Sequence, residues 1–284
     1  MNILDKISFG QQYFKIALLL RESLFLNSIL TNAEIWYGIT KAEIKQLEDL
    51  DLILLRKVLN TPFSVPAEAV YLELGCINIE TILKARRVNY LHYLLRQNKS
   101  SMLYQFFITQ WKFPAVKNEW TEQVKLDLID FGLSQELGQI ADFSKNSFKN
   151  TVKKRAKEFA FFVFLEKKQK HSKLDNLFYR DLNLQNYLQS ALRTEGQVIF
   201  SYRTRMSNFS ENFRGNGGTS ACPLCQNHPD NQKWSFECSQ VKEKINIEGK
   251  YSNIFSEKIT KETINTLMEI NKLRTDFLEQ RNIK

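Results

Sequence analysis

The densest metal-ligating chemistry in the chain is the segment Cys222-Pro-Leu-Cys225-Gln-Asn-His228-Pro-Asp230, which continues through Trp234 to Cys238. A Cys-x2-Cys turn presents two thiolates at zinc distance, and a later His and Cys can close a tetrahedron around one structural zinc ion. His228 and Cys238 are the strong ligands available for that closure, and Asp230 is a weaker one. His228 follows Cys225 by only three residues, a tight spacing for wrapping a single ion. The competing reading is a trio of reduced cysteines beside a surface histidine. With 4 cysteines in 284 residues there is no disulfide scaffold, and the crowding of three of them points to metal chemistry in a reducing compartment, nuclear or cytoplasmic.

The second candidate is electrostatic. The chain carries a net charge of +9, and the window Lys145 to Lys173 holds ten Lys/Arg against Glu158 and Glu166, a local +8. Lys149, Lys153, Lys154, Arg155 and Lys157 form its centre. Such a run is either a solvated helix face or a phosphate-binding surface, because clustered lysines bind polyanions by releasing condensed counterions. A membrane-surface helix would need a second anchoring signal, which the chain lacks. Arg86 and Arg87 stand near Tyr90 and Tyr93, while Arg203, Arg205 and Arg214 alternate with Tyr202, Phe209 and Phe213. Basic residues interleaved with aromatics suit single-stranded RNA or DNA, where bases stack and guanidinium groups meet phosphates. Equally, the aromatics could be core and the arginines its rim.

Catalytic signals are sparse. His92 sits within an apolar helical stretch, where a packed or surface role outweighs a catalytic one. There is no glycine-rich phosphate loop, no Gly-x-Ser-x-Gly elbow, and no Asp-Asp pair of the kind a polymerase palm uses to hold metal. Asp230 with Glu248 and Lys250 is only a loose match to a nuclease triad.

The elements that must position these groups read as mainly helical. Hydrophobic residues make up 43% and charged residues 25%, which excludes wholesale disorder, and 10 Gly with 5 Pro are too few for a sandwich of many short strands. The longest apolar run, Phe159 to Leu165, falls far short of the ~20 residues of a membrane span. The stretch Ile16 to Leu20 meets Arg21 and Glu22 without a small-residue cleavage site, so no signal peptide is expected.

Apolar spacing predicts an amphipathic helix over 11–38, bent near Thr31-Asn32, with Leu24 and Ile35 on its inner face. Thr40 and Glu43 form a capping box before a helix whose buried stripe is Leu47, Leu50, Leu54 and Val58. A short helix runs from Pro66 to Gly75, and Asn78 is expected to cap a long one reaching Gln97. Further helices are predicted at 100–111, 120–131, 145–169 and 183–209. Thr260 caps a last one with Ile264, Leu267, Ile270, Leu273, Phe277 and Leu278 inward. Gly215 to Thr219 reads as a linker. The division expected is a helical region 1–214, a linker and cysteine knuckle 215–240, and a C-terminal helical tail 241–284.

Read in order, several segments resemble the region that follows the palm in non-LTR (LINE-type) retrotransposon reverse transcriptases. They are Phe9-Gly-Gln-Gln-Tyr-Phe, Ala33-Glu-Ile-Trp36-Tyr37, Tyr71-Leu-Glu-Leu-Gly75, Arg86-Arg87-Val-Asn-Tyr90, Asp175-Asn-Leu-Phe-Tyr179, Tyr202-Arg-Thr-Arg-Met206, Asn212-Phe-Arg214 and Cys222-Pro-Leu-Cys225. The resemblance spans roughly 7 to 255 and lies in the ordered set, since no single motif is specific. It implies a thumb-like helical region that grips a template-primer duplex, followed by a zinc knuckle. The polymerase palm is absent from this sequence, so a binding module without its own catalysis is implied. The alternatives are the non-catalytic part of an enzyme whose palm lies on another chain or on further sequence, and a truncated element copy. Family members commonly place a His shortly before the last Cys, where Trp234 stands here.

Overall fold

The computed structural model describes residues 10–113, 119–207, 209–213, 221–247, 251–256 and 259–282. It is mainly α-helical, and no strand occurs among the described residues beyond one antiparallel bridge between Ala221 and Pro229. The helices are α1 (Tyr13–Leu20), α2 (Leu26–Ile29), α3 (Lys41–Leu59), α4 (Ala67–Leu74), α5 (Ile79–Leu95), α6 (Met102–Lys112) and α7 (Trp120–Asp130). They continue with α8 (Leu137–Ala141), α9 (Lys145–Lys168), α10 (Asn186–Ser190), α11 (Arg193–Arg203), α12 (Gln232–Ser235), α13 (Ser239–Lys244) and α14 (Lys261–Asn282). None of them is long and apolar enough to cross a membrane.

Local chemistry accounts for most boundaries. The Thr40–Glu43 box closes in both directions: Thr40 N–H donates to Glu43 Oε2 at 2.7 Å, and Glu43 N–H to Thr40 Oγ1 at 3.2 Å. Ser101, Ser144 and Thr260 each accept a backbone N–H in the first turn of α6, α9 and α14. Gly75 and Gly132 follow α4 and α7 with φ of +65° and +60°, a left-handed exit that a Cβ disfavours.

Four expectations need correction. Asn78 does not cap α5 with its side chain; it donates to Glu48 Oε1 and accepts from Thr81 Oγ1 instead. The helix predicted over 183–209 is two, α10 and α11, separated at Ala191-Leu192, and Arg205 lies beyond them at φ +55°. The helix predicted over 11–38 passes through a π-helical segment, Arg21–Phe25, and leaves Leu24 and Ile35 exposed. Its cause is Arg21, which is turned inward to form two 2.6 Å hydrogen bonds with buried Asp51. That pair also rotates the inner face of α3 to Asp51, Leu55, Val58 and Leu59 and leaves Leu50 exposed. In α14 the buried stripe is Thr263, Thr266, Leu267, Ile270 and Arg274, while Leu273, Phe277 and Leu278 are only half-buried.

The chain forms two compact units, and they do not follow the predicted division. One comprises 20–54 and 75–166; the other comprises 1–19, 55–74 and 167–284. In the first, Val88, Leu91 and Leu94 of α5 pack with Phe107, Val124, Leu128, Phe148 and Val152. Arg87 reaches through this core to Asp127 on α7 at 2.7 and 3.1 Å, and both side chains are buried.

In the second unit the central feature is Glu73 of α4, which has no solvent exposure. Its carboxylate accepts from Tyr179 Oη at 2.8 Å, Tyr187 Oη at 2.9 Å and Arg203 Nε at 2.9 Å. Burial and the adjacent carboxylate hold both phenols well above the ordinary tyrosine range. Burial opposes the charge on Arg203, but Glu73 more than restores it, so the guanidinium stays protonated. Removing one member leaves the other charge buried and uncompensated. Glu73→Ala is therefore expected to cost about 3–5 kcal/mol in urea unfolding, with Arg155→Ala on the surface costing less than about 0.5 kcal/mol. Equal effects from the two substitutions would refute this placement of the anchor.

Candidate metal centre and nucleic-acid interface

The cysteine site is built by a tight loop. Cys222 N–H donates to His228 O at 2.6 Å and Gln226 N–H to Cys222 O at 2.9 Å, with Gln226 in the left-handed region at φ +55°. This turn folds Cys225 back toward Cys222, and the N-terminus of α13 supplies Cys238. The three sulfurs lie within 4.8 Å of one another, against about 3.8 Å for thiolates sharing a tetrahedral zinc. None of the four cysteines is in a disulfide. Burial pushes the Cys225 thiol up, but backbone N–H groups of Asn227 and His228 and the two neighbouring thiols outweigh it, and its pKa falls below the ordinary range. Burial lifts Cys238 to about 11. Donors aimed at one sulfur of a three-thiol cluster suit bound thiolate, so Cys222, Cys225 and Cys238 could hold a metal ion.

His228 is not part of that cluster among the described residues. Its ring lies parallel to Trp234 at 4.7 Å and 3°, so the tryptophan at the position where the family carries histidine holds His228 by stacking. Asp230 is engaged elsewhere: it accepts from Ser210 N–H at 2.9 Å and Ser210 Oγ at 2.7 Å and pairs with Arg274 at 2.8 Å. Arg274 in turn covers the Phe209 ring at 4.0 Å, tying α14 to the cysteine segment. Glu248 and Lys250 lie outside the described residues.

The predicted basic helix is α9. Phe148, Val152, Ala156, Ala160 and Phe164 are buried, and the cations occupy the rest of its surface. Lys145, Lys149 and Lys153 are exposed and Lys157 is half-buried; these four recur every four residues and form one ridge. Lys154 and Arg155 lie on another side, where Glu158 meets them at 3.9 and 3.1 Å.

The arginine candidates divide sharply. Arg87 and Arg203 are not surface contacts: each is buried in an ion pair, with Asp127 and Glu73 respectively. Arg86 is half-buried and donates to Leu30 O and to Asn27 Oδ1. Arg205 is half-buried, and its backbone N–H donates to Tyr202 O at 3.2 Å. Arg214 lies outside the described residues. His92 is packed, stacked on Phe148 at 4.6 Å and bonded to Phe143 O at 3.0 Å.

Two features that are far apart in sequence meet in one place. Arg86, Tyr90, Tyr93 and Arg96 of α5 and its C-terminal end line an open cleft of about 610 Å³ together with Lys145 and Lys149 of α9. Arg96 and Lys145 were not among the sequence candidates. A signal existed, since 86, 90, 93 and 96 follow steps of three and four on α5, opposite buried Arg87, Val88, Leu91 and Leu94.

No family model, curated protein or solved structure matches the chain.

Thiol reactivity tests the cysteine geometry, because thiolate rather than thiol is the nucleophile. In chelator-treated protein near neutral pH, Cys225 is expected to be alkylated first. Cys238 and Cys76, both raised to about 11 by burial, should react last. Peptide mapping by mass spectrometry after timed alkylation gives the order, and Cys76 reacting ahead of Cys225 would contradict it.

Proposed function

We propose that the chain is a nucleic-acid-binding module: the thumb-like and knuckle part of a non-LTR (LINE-type) retrotransposon reverse transcriptase-like protein, without polymerase chemistry of its own. The observation that carries this reading is the ridge Lys145, Lys149, Lys153, Lys157 on α9. Like charges four residues apart on a helix repel, each step costing roughly 0.2–0.5 kcal/mol, and three such steps follow one another here. Only Glu158 and Glu166 lie in the helix to offset ten cations in the surrounding window. A repeating phosphate backbone relieves that repulsion along its whole length, and release of its counterions drives association.

In this reading Cys222, Cys225 and Cys238 hold one structural zinc ion, which would cross-link the loop after Ala221 to the start of α13. Zinc supplies no chemistry to a bound nucleic acid; the three thiolates fix the local backbone. The polymerase palm would be supplied by another chain or by further sequence. The compartment is one where cysteines stay reduced.

Binding to one labelled oligonucleotide, titrated with salt, tests the proposal. Replacing Lys153, Lys154, Arg155 and Lys157 with Ala is expected to weaken binding to all sequences alike. It should flatten the log K against log salt slope by up to about 3 to 4 on duplex, at roughly 0.9 per lost contact. The four positions are outside the buried stripe, so stability should change little. Identical slopes for the two proteins would end the proposal. Purified chain should also extend no annealed primer with magnesium and nucleotides, since no Asp-Asp pair is present to hold the metals; template-dependent extension would sink that part.

A further inference from the structure

The cleft between α5 and the start of α9 combines an aromatic platform with a basic rim, an arrangement that neither element shows alone. Tyr90 and Tyr93 stack at 5.5 Å with 19° between their planes. Tyr90 is braced edge-on by Trp120 at 5.7 Å and 86°, and Trp120 is itself fixed by donation from Nε1 to Glu34 O at 2.7 Å. The platform is thus held from behind, while Tyr93 remains 52% exposed. Around it stand Arg86, Arg96, Lys145 and Lys149. The two lysines belong to the first turns of α9, where the helix dipole adds partial positive charge and where no acidic residue occurs. Glu34 is the one carboxylate in the lining.

We propose that this cleft takes an unpaired nucleotide of a single-stranded RNA or DNA, its base stacked on Tyr93 and its flanking phosphates held by Arg96, Lys145 and Lys149. The inference rests on the nucleic-acid reading above and deepens it. A duplex could engage the lysine ridge through its phosphates alone, but its bases are already stacked on each other and have no face to offer Tyr93. A single strand offers both groups. Base–aromatic stacking tolerates any sequence, because every base has a π-face. The half-exposed ring therefore gives the surface a preference for strand state rather than for sequence.

The experiment uses the full chain with a 12-nucleotide single-stranded RNA, the matching single-stranded DNA, and the blunt DNA duplex, each fluorescently labelled. Tyr93→Ala is expected to weaken binding of at least one single strand about tenfold and to leave duplex binding unchanged; Tyr93→Phe should bind as wild type does. The RNA and DNA arms show which strand the cleft serves. A 2-aminopurine placed within the affected strand should be quenched on binding to wild type and less so on binding to Tyr93→Ala. Arg96→Ala, on the exposed rim, gives a second reading if Tyr93→Ala folds poorly, and should weaken the same strand several-fold. Single-strand affinities that are the same for wild type, Tyr93→Ala and Arg96→Ala would overturn the cleft site. If the substitutions on α9 outside the cleft still flatten the salt slope in that case, the general nucleic-acid reading survives and only this inference fails. Wild type that binds none of the three probes overturns both.

Discussion

A carboxylate with no access to water has to be neutralised or surrounded by donors, and Glu73 is surrounded. Two phenols and a guanidinium converge on it, Gln185 N–H donates to its backbone carbonyl at 3.1 Å, and Arg203 extends the network by donating to Ile254 O at 2.7 Å. Those contacts recruit four stretches of chain that share no local sequence signal: α4, the loop around Tyr179, α10 and α11, and the segment near 254. Each donor is also packed, with Arg203 lying over the Tyr187 ring at 5.3 Å. In a low-dielectric core such a network has few alternative arrangements, because any shift strands a charge. It accounts for why 55–74 belongs to the same compact unit as 167–284, although more than ninety residues separate them.

The same constraint explains which arginines were readable and which were not. Arg86 and Arg87 are neighbours in sequence but point about 100° apart on α5, so one lines the cleft and the other enters the core. Nothing local distinguishes them. The deciding residue is Asp127, forty positions away, just as Glu73 decides the fate of Arg203 from 130 positions away. Helix existence, by contrast, was legible almost throughout, because caps and apolar spacing act within a turn. Thr40–Glu43, Ser144 and the Gly75 exit all behave as local chemistry dictates. The inner faces of α3 and α14 escaped that reading for one reason: each is set by a buried charged residue, Asp51 or Arg274, which a hydrophobic pattern assigns to solvent.

The cysteine segment shows the same limit on a smaller scale. Cys222 and Cys225 were legible from their spacing, and Cys238 followed from supply, since a fourth cysteine, Cys76, is buried in the other unit. The histidine was not. A ligand call from sequence counts side chains that can reach a metal, whereas Trp234 offers the His228 ring a parallel stacking partner that competes for its orientation. Asp230, nominally the weaker ligand, is withdrawn by Ser210 and Arg274 in the same way. What remains is a cluster in which sulfur supplies the ligands and amide donors supply the electrostatics.

The cations left on the surface are those for which no internal partner was built. Of the groups singled out for binding, the ones with a buried carboxylate nearby were drawn into cores, where they hold helices together. The ones on α9 face away from its apolar stripe and mostly repel each other. Helix stability there comes from Phe148, Val152, Ala156, Ala160 and Phe164, which anchor the inner face regardless of what the outer face carries. That separation lets the ridge remain strongly basic without unfolding the helix that bears it. An apolar stripe spaced for packing and a lysine ridge spaced along the same axis are independent periodicities in one segment. Together they make a rigid, positively charged edge whose unrelieved repulsion is lowest when an extended polyanion lies along it.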